Sequence, residues 1–253
     1  MILFDIAQEF LNTPFVWILF ISCGILIGLA KTGISGAGLM IVPIMASIFG
    51  GKLSVGIVLP MLIVADIFAV NYYHQHANWR YILLALPWAL LGVIAATVFG
   101  KHINDNQFKV ILAIVILIGI VLMLWQDFRI KSKTAPDNWW FAALLGLAGG
   151  FTTMIGNAAG PIMSLYLLSM NLPKNNFIGT AAWFFLIINV IKIPFHVLSW
   201  HTITLQTLSV DLIGIPAILV GVVLGIRLVK LFPEKVYRYF IIGSTVLSAV
   251  FLF

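Results

Sequence analysis

Apolar residues dominate the chain in long runs, and the polar positions collect in short stretches between them. Ten such runs are read, near 14–31, 36–50, 54–73, 80–100 and 106–126, then 138–154, 158–171, 176–198, 205–231 and 234–253. Helices are predicted for all of them, because backbone polar groups in lipid must be satisfied within the segment or by a closed barrel. Most connections are under about eight residues, within the usual range for neighbouring helices. The longest polar stretch, Asp127 to Asp137, divides the chain nearly in half. The pattern predicts an all-α polytopic membrane protein forming a single transmembrane domain. Its two inverted-topology repeats have about five segments each: repeat 1 over about 14–126, a cytoplasmic linker over 127–137, and repeat 2 over about 138–253.

Composition sharpens this picture. Of 253 residues, 14 are Lys or Arg and 8 are Asp or Glu, so 9% are charged, while 62% are hydrophobic. Soluble domains carry about 25% charged residues. The chain is therefore read as no nucleic-acid-binding module, soluble enzyme or disordered scaffold. The single cysteine, Cys23, leaves no intrachain disulfide. The first residues, Met1 to Asp5, lack the basic region of a cleaved signal peptide, so the first span is expected to be retained.

The net charge of +6 is chiefly an orientation signal. By loop parity, Lys31, Arg80, Arg129, Lys131, Lys133, Lys174, Arg227, Lys230, Lys235 and Arg238 fall on one side, and Lys52, Lys101 and Lys109 on the other. The basic side is expected in the cytoplasm, which puts both termini outside the plasma (inner) membrane. Asp5 and Glu9, near the N-terminus without a balancing cation, agree. Parity survives if segments 1 and 2 form a re-entrant hairpin, so whether segments 2 and 7 cross fully is left open.

The halves align weakly with each other. Lys31 to Gly38 falls on Thr153 to Gly160, and Gly56 falls on Gly179 after a one-residue slip. Pro87 and Gly92 fall on Pro216 and Gly221, and Lys101 falls on Lys230. Segments 2 and 7 are short, and each follows a cluster of small residues: Gly33 to Gly38, and Gly156 to Pro161. Short, glycine-interrupted segments at matching positions of inverted halves point to a transporter substrate site. A broken helix presents unpaired N–H groups and the positive end of its dipole, and glycine lets an anion approach closely. The substrate-binding candidates are therefore Ser35, Gly36, Ala37, Gly38, Asn157, Ala158, Ala159 and Gly160. The competing reading is that these small residues only allow close helix packing.

Polar side chains within spans are costly and usually face a partner or a cavity. Asp66 and Asn189 occupy equivalent positions in segments 3 and 8. Asn189, Lys192 and His196 share one helical face by their spacing. Asn189 and Lys192 join the substrate-binding candidates. Asp66, His196 and Lys31 are candidates for charge tuning or for carrying a coupling proton. The blander readings are a snorkelling Lys192, an interfacial His196, a structural Asp66 and an anchoring Lys31. Asn71 and Thr180 are weaker candidates nearby.

Other features carry less. His74 and His76 lack the additional ligands of a zinc site. Trp79, Trp88, Trp125, Trp139, Trp140 and Trp200 lie near segment ends as an interfacial belt would, and Trp183 lies deeper. No GxSxG, HExxH or P-loop motif occurs. No cofactor or metal is expected.

The strings Ala30-Lys-Thr-Gly-Ile-Ser-Gly-Ala-Gly-Leu39 with Pro43, Gly150 to Pro161, and Gly179 to Lys192 together resemble the TauE/SafE sulfite-exporter permeases. The resemblance runs from about residue 20 to the end. It implies two homologous halves and transport of small sulfur-containing anions such as sulfite or sulfonates. Many relatives have a denser Gly-Gly-Gly pattern where this chain has Asn157-Ala-Ala-Gly160. The expected function is secondary transport of such an anion by alternating access, with a proton as candidate coupling ion. A passive anion channel and, behind it, a membrane-embedded enzyme are the alternatives. The expected partners are the anion and the bilayer, and a homodimer is left open.

Overall fold

A computed structural model of the chain describes residues 11–33, 38–129 and 139–231, together with 233 and 236. Helices account for nearly all of them, and no strand occurs among the described residues. In chain order they are α1 (Pro14–Lys31), α2 (Gly38–Phe49), α3 (Gly51–Tyr73), α4 (Trp79–Lys101), α5 (Asp105–Arg129), α6 (Trp139–Gly156), α7 (Gly160–Ser169), α8 (Lys174–Pro194) and α9 (Leu205–Leu231). A 3₁₀ turn, His74–His76, follows α3, and a π-helical turn, Phe195–Ser199, follows α8. The tenth segment, 234–253, lies outside the described residues apart from Val236.

Among the described residues, six stretches are long and apolar enough to cross a membrane, from Pro14–Lys31 to Leu205–Leu231. With Leu83, Val98, Leu144, Leu212 and Val220 exposed on their outer faces, the molecule presents to its surroundings an apolar surface suited to lipid. By contrast, α2 has 12 residues and α7 has 10. At 1.5 Å per residue they reach only about 18 and 15 Å, short of a hydrocarbon core of about 30 Å.

Local chemistry explains the element boundaries. Thr13 caps α1, its hydroxyl accepting from the Val16 amide at 3.3 Å, and Pro14 supplies the first helical residue. Helix α3 starts at Gly51 rather than near 54. The Asp105 carboxylate, brought in from α5, accepts from the amides of Gly51 (3.2 Å) and Lys52 (2.9 Å). That cap lies more than fifty residues away in sequence, so no local signal could announce it.

The dominant helix pairings are α4 with α6, α1 with α9, and α3 with α8. The first two are crossings of backbone on backbone. A Cβ on Gly28 would run into the backbone of Ile218 and Val222, and one on Gly221 into that of Ile25. A Cβ on Gly92 would meet Leu147 and Phe151, and one on Gly150 would meet Ala89. Small residues permit such approaches in lipid, where apolar side chains gain nothing by leaving the solvent. In the register of the two halves, Gly28 corresponds to Gly150 and Gly221 to Gly92, so exchanging the halves exchanges the two crossings. Two clusters of buried side chains surround these contacts, one around Ala89, Ile155 and Tyr166, the other around Phe20, Met45 and Ile218.

The interfacial belt needs one correction. Trp79, Trp139 and Trp140 are exposed, but Trp200 is buried. Its Nε1 donates to the Thr97 carbonyl at 3.1 Å, and its ring packs edge-on against Phe108 and His196. The π turn folds Trp200 back into the protein, so its place near a segment end misleads.

Candidate functional site

The chain breaks between α6 and α7 at Asn157, whose φ of 53° is a left-handed conformation that Asn tolerates better than most residues. The Asn157 amide donates to the Thr153 carbonyl (2.9 Å) and the Ala158 amide to that of Thr152 (3.3 Å), which closes the end of α6. Helix α7 then opens at Gly160-Pro161 behind Ala159, which provides no side-chain cap. The backbone donors directed along the α7 axis therefore narrow to the first turn at Ala159 and Gly160, because the Ala158 N–H is engaged in α6. The matching break in the first half, Ile34 to Ala37, lies outside the described residues, and with it Ser35, Gly36 and Ala37. Gly38, the first residue of α2, is described.

One central cavity, about 840 Å³ with its open mouth included, is bordered by both short helices and by α1, α3, α6 and α8. Gly38 and Gly160 both line it, as do Lys31, Asp66, Asn157 and Asn189. The lining falls into pairs in the register of the two halves: Ile41 with Met163, Val42 with Ser164, Val58 with Ala181, Leu62 with Phe185, and Asp66 with Asn189. Ala158 and Ala159 are buried beside the cavity and do not line it.

A chain of polar contacts crosses the wall. Lys31 Nζ lies 2.9 Å from Asp66 Oδ1 and 3.2 Å from Oδ2, and it sits 4.2 Å from the centre of the Phe185 ring. Asn189 Nδ2 donates to Asp66 Oδ2 at 2.7 Å. Lys192 Nζ, one turn further along α8, donates to Asn157 Oδ1 (2.6 Å), the Thr153 carbonyl (2.8 Å), Thr153 Oγ1 (3.1 Å) and Asn189 Oδ1 (3.3 Å). Asn157 in turn donates from Nδ2 to the Val55 carbonyl of α3 at 3.1 Å. Every partner of Lys192 is an acceptor, the environment of an ammonium with three donors and no lone pair. Lys192 itself does not line the cavity; it stands behind Asn157 and Asn189, which do.

Burial bears on several of the alternatives. Lys192 is fully buried, so it does not snorkel. Lys31, with a side chain 12% exposed, pairs with Asp66 instead of anchoring at the interface, so its vote drops out of the loop-charge tally. His196 is fully buried too and does not line the cavity. Its Nδ1 is 2.8 Å from Thr202 Oγ1, and its Nε2 has no partner among the described residues. Thr180 is structural: its hydroxyl accepts from the Asn78 amide at 2.9 Å and donates to the Asn176 carbonyl at 2.6 Å.

Sequence reasoning missed two groups. Thr153 appeared only as the counterpart of Lys31, yet it supplies two of the Lys192 contacts. Asp211, in α9, is buried with neither carboxylate oxygen partnered among the described residues. The rule that flagged Asp66, an acidic residue inside a span, would have found it.

A family model described as "Sulfite exporter TauE/SafE" matches residues 20–252. No curated protein matches the chain, and no solved structure does.

Proposed function

The chain belongs to the sulfite exporter TauE/SafE family, a family of membrane permeases for sulfur-containing anions, and on that premise we propose that it is a secondary transporter that binds a small anion such as sulfite or a sulfonate in the central cavity. The observation that carries this reading is Lys31 paired with Asp66 on the wall of a cavity that both short helices border, with the buried Lys192 behind that wall, held by Asn157, Thr153 and Asn189. The Lys31 ammonium attracts an anion, and the low-dielectric wall strengthens that attraction. The uncapped start of α7 adds backbone donors and the positive end of a helix dipole. Lys31 is the ligand that changes partner. In the empty site it is held by Asp66, and an incoming oxyanion competes for it. Asp66, left with only the Asn189 amide, is then the group placed to carry a coupling proton.

The matched lining pairs and the exchanged helix crossings support two inverted repeats that rock against each other around the cavity. With the basic loops inside, the protein sits in the plasma membrane with both termini outside.

The test is uptake of sulfite and sulfoacetate into proteoliposomes, with and without a pH gradient, for the native protein and Asp66→Asn. Saturable, gradient-stimulated uptake that loses only its gradient response in the variant supports the mechanism. Uptake that never saturates identifies a passive channel. No uptake of either anion removes the substrate class.

A further inference from the structure

The central cavity is not closed equally at its two ends. On α8 its lining follows one face of the helix from Asn189 through Phe185 and Ala181 to Phe177 and Ile178, close to the helix start. On α3 the matched face lines it from Asp66 through Leu62 to Val58 and stops there. Ser54 and Val55, the counterparts of Phe177 and Ile178, are buried and do not line it. On α7 the lining runs on to Leu167, whereas Met45, its counterpart on α2, is buried away from the space. The cavity therefore reaches toward the end of the molecule that carries the basic loops, and protein fills the opposite end.

The filling is a contact between the two halves. Trp200 stands between the π-helical turn Phe195–Ser199 and His201, whose φ of 52° is left-handed. Its indole occupies a seat on α4: a Cβ on Gly100 would overlap the ring, and Nε1 donates to the Thr97 carbonyl at 3.1 Å. Phe108 of α5 packs edge-on against it, and Val55 belongs to the same buried cluster. Thr202 covers Gly56 of α3 in the same way, since a Cβ there would overlap its side chain. Lys52 closes the rim. Its Nζ donates to the carbonyls of Gly100 (2.7 Å) and Ile103 (3.2 Å) and lies 5.8 Å from the centres of both the Phe108 and Trp200 rings. At the other end of the molecule no such seat exists. The turn His74–His76 packs on Gly179 much as Thr202 packs on Gly56, but the tryptophan that follows it, Trp79, is exposed and lies against Trp183. Val229 stands where the first half has Gly100.

We propose that Trp200 is the plug of a gate at the end of the cavity away from the basic loops, and that it leaves its seat on Gly100 when the cavity opens on that side. The gate deepens the transporter reading above and rests on it. The plug belongs to the second half and its seat to α3, α4 and α5 of the first, so movement of one half against the other releases it. A π-helical turn and a left-handed non-glycine residue are costly arrangements found mostly where function calls for them, and here they bracket the plug.

The experiment follows maleimide modification of the purified full-length protein by peptide mass spectrometry. Two reporters are introduced singly: Val55→Cys, behind the plug, and Ala181→Cys, on the partly exposed cavity wall. The native Cys23, which is buried, gauges global unfolding. Rapid modification is expected at position 181 and slow modification at position 55. Adding Trp200→Ala removes a hydrogen bond and the packed ring, so the rate at position 55 should rise at least about tenfold while Cys23 stays protected. Trp200→Phe keeps a ring over Gly100 and should gain less. A rate at position 55 that equals the rate at position 181 with Trp200 in place, or that ignores Trp200→Ala, overturns the gate. Protection at position 181 overturns the assignment of the open end. Should Trp200→Ala expose Cys23 as well, Gly100→Ala, which only crowds the seat, is read in the same way. No substrate enters the measurement. A gate that responds in a protein without uptake removes the substrate class alone, and uptake with an unresponsive position 55 removes the gate alone.

Discussion

In the first half, the wall of the central cavity presents Lys31, Val42, Leu62 and Asp66; in the second half the matching positions present Thr153, Ser164, Phe185 and Asn189. Charge sits on one side and neutral hydrogen-bonding groups on the other. Yet the halves are interlocked. Asp66 is held by Asn189 of the opposite half, and Lys31 rests over Phe185 of the opposite half. The second half recovers an ammonium from another helix. Lys192, whose counterpart in the first half is the buried Ala69, reaches back to Thr153, the counterpart of Lys31. Matched positions thus keep their place around the cavity while their electrostatics diverge, so under the proposed function a single anion meets an asymmetric site.

The hardest way to break this comparison is to attack the scaffold. Gly92→Leu and Gly221→Leu each drive a side chain into the backbone of the partner helix. Overpacking that a backbone cannot relax costs upward of about 3 kcal/mol, so both variants are expected to lose most of the folded population. Thermal unfolding in detergent reads this out. A large loss at one glycine with none at the other would mean that the two crossings are not equivalent.

A smaller effect sharpens the electrostatic contrast. Lys31→Met removes a charged ligand, and Thr153→Val removes a neutral hydroxyl at the matching position. A charge-assisted hydrogen bond from an ammonium is worth about 1.5–3 kcal/mol, and the Thr153 hydroxyl, already held by Lys192, adds about 1 kcal/mol at most. Sulfite affinity should therefore fall about ten- to a hundredfold in the first variant and no more than about tenfold in the second. Calorimetric titration decides it. Equal losses would refute the view that the first half carries the charge recognition.

The smallest expected change comes from making the walls more alike. Val42→Ser copies the Ser164 hydroxyl onto the first half. An added polar contact at a lining position is worth about 1 kcal/mol at most, so the KM for uptake should shift by less than about fivefold. A larger shift would show that the apolar Val42 side is itself part of substrate selection.

Much of this was legible in the sequence. The apolar runs announced the helices, because only helices and closed barrels satisfy their backbone in lipid. The glycine clusters announced the two breaks, and Asp66, Asn189 and Lys192 were conspicuous because polar groups in lipid demand a reason. Periodicity placed Asn189, Lys192 and His196 on one face, and all three are buried. Other features depended on residues distant in the chain. The start of α3 is set by Asp105, Lys31 proves to be a partner of Asp66 rather than an anchor, and Trp200 turns inward to Thr97.

By itself, then, the order of residues determined a helical membrane protein, and it marked where the helices break. Those properties follow from local composition and backbone chemistry. Which polar groups meet was decided by tertiary structure alone. Lys31 and Asp66 are 35 positions apart, Asp66 and Asn189 are 123, and Asn157 and Val55 are 102. Only the packing of α3 against α1, α6 and α8 brings such positions within hydrogen-bond reach, since a hydrogen bond acts over about 3 Å and no local pattern reports on it.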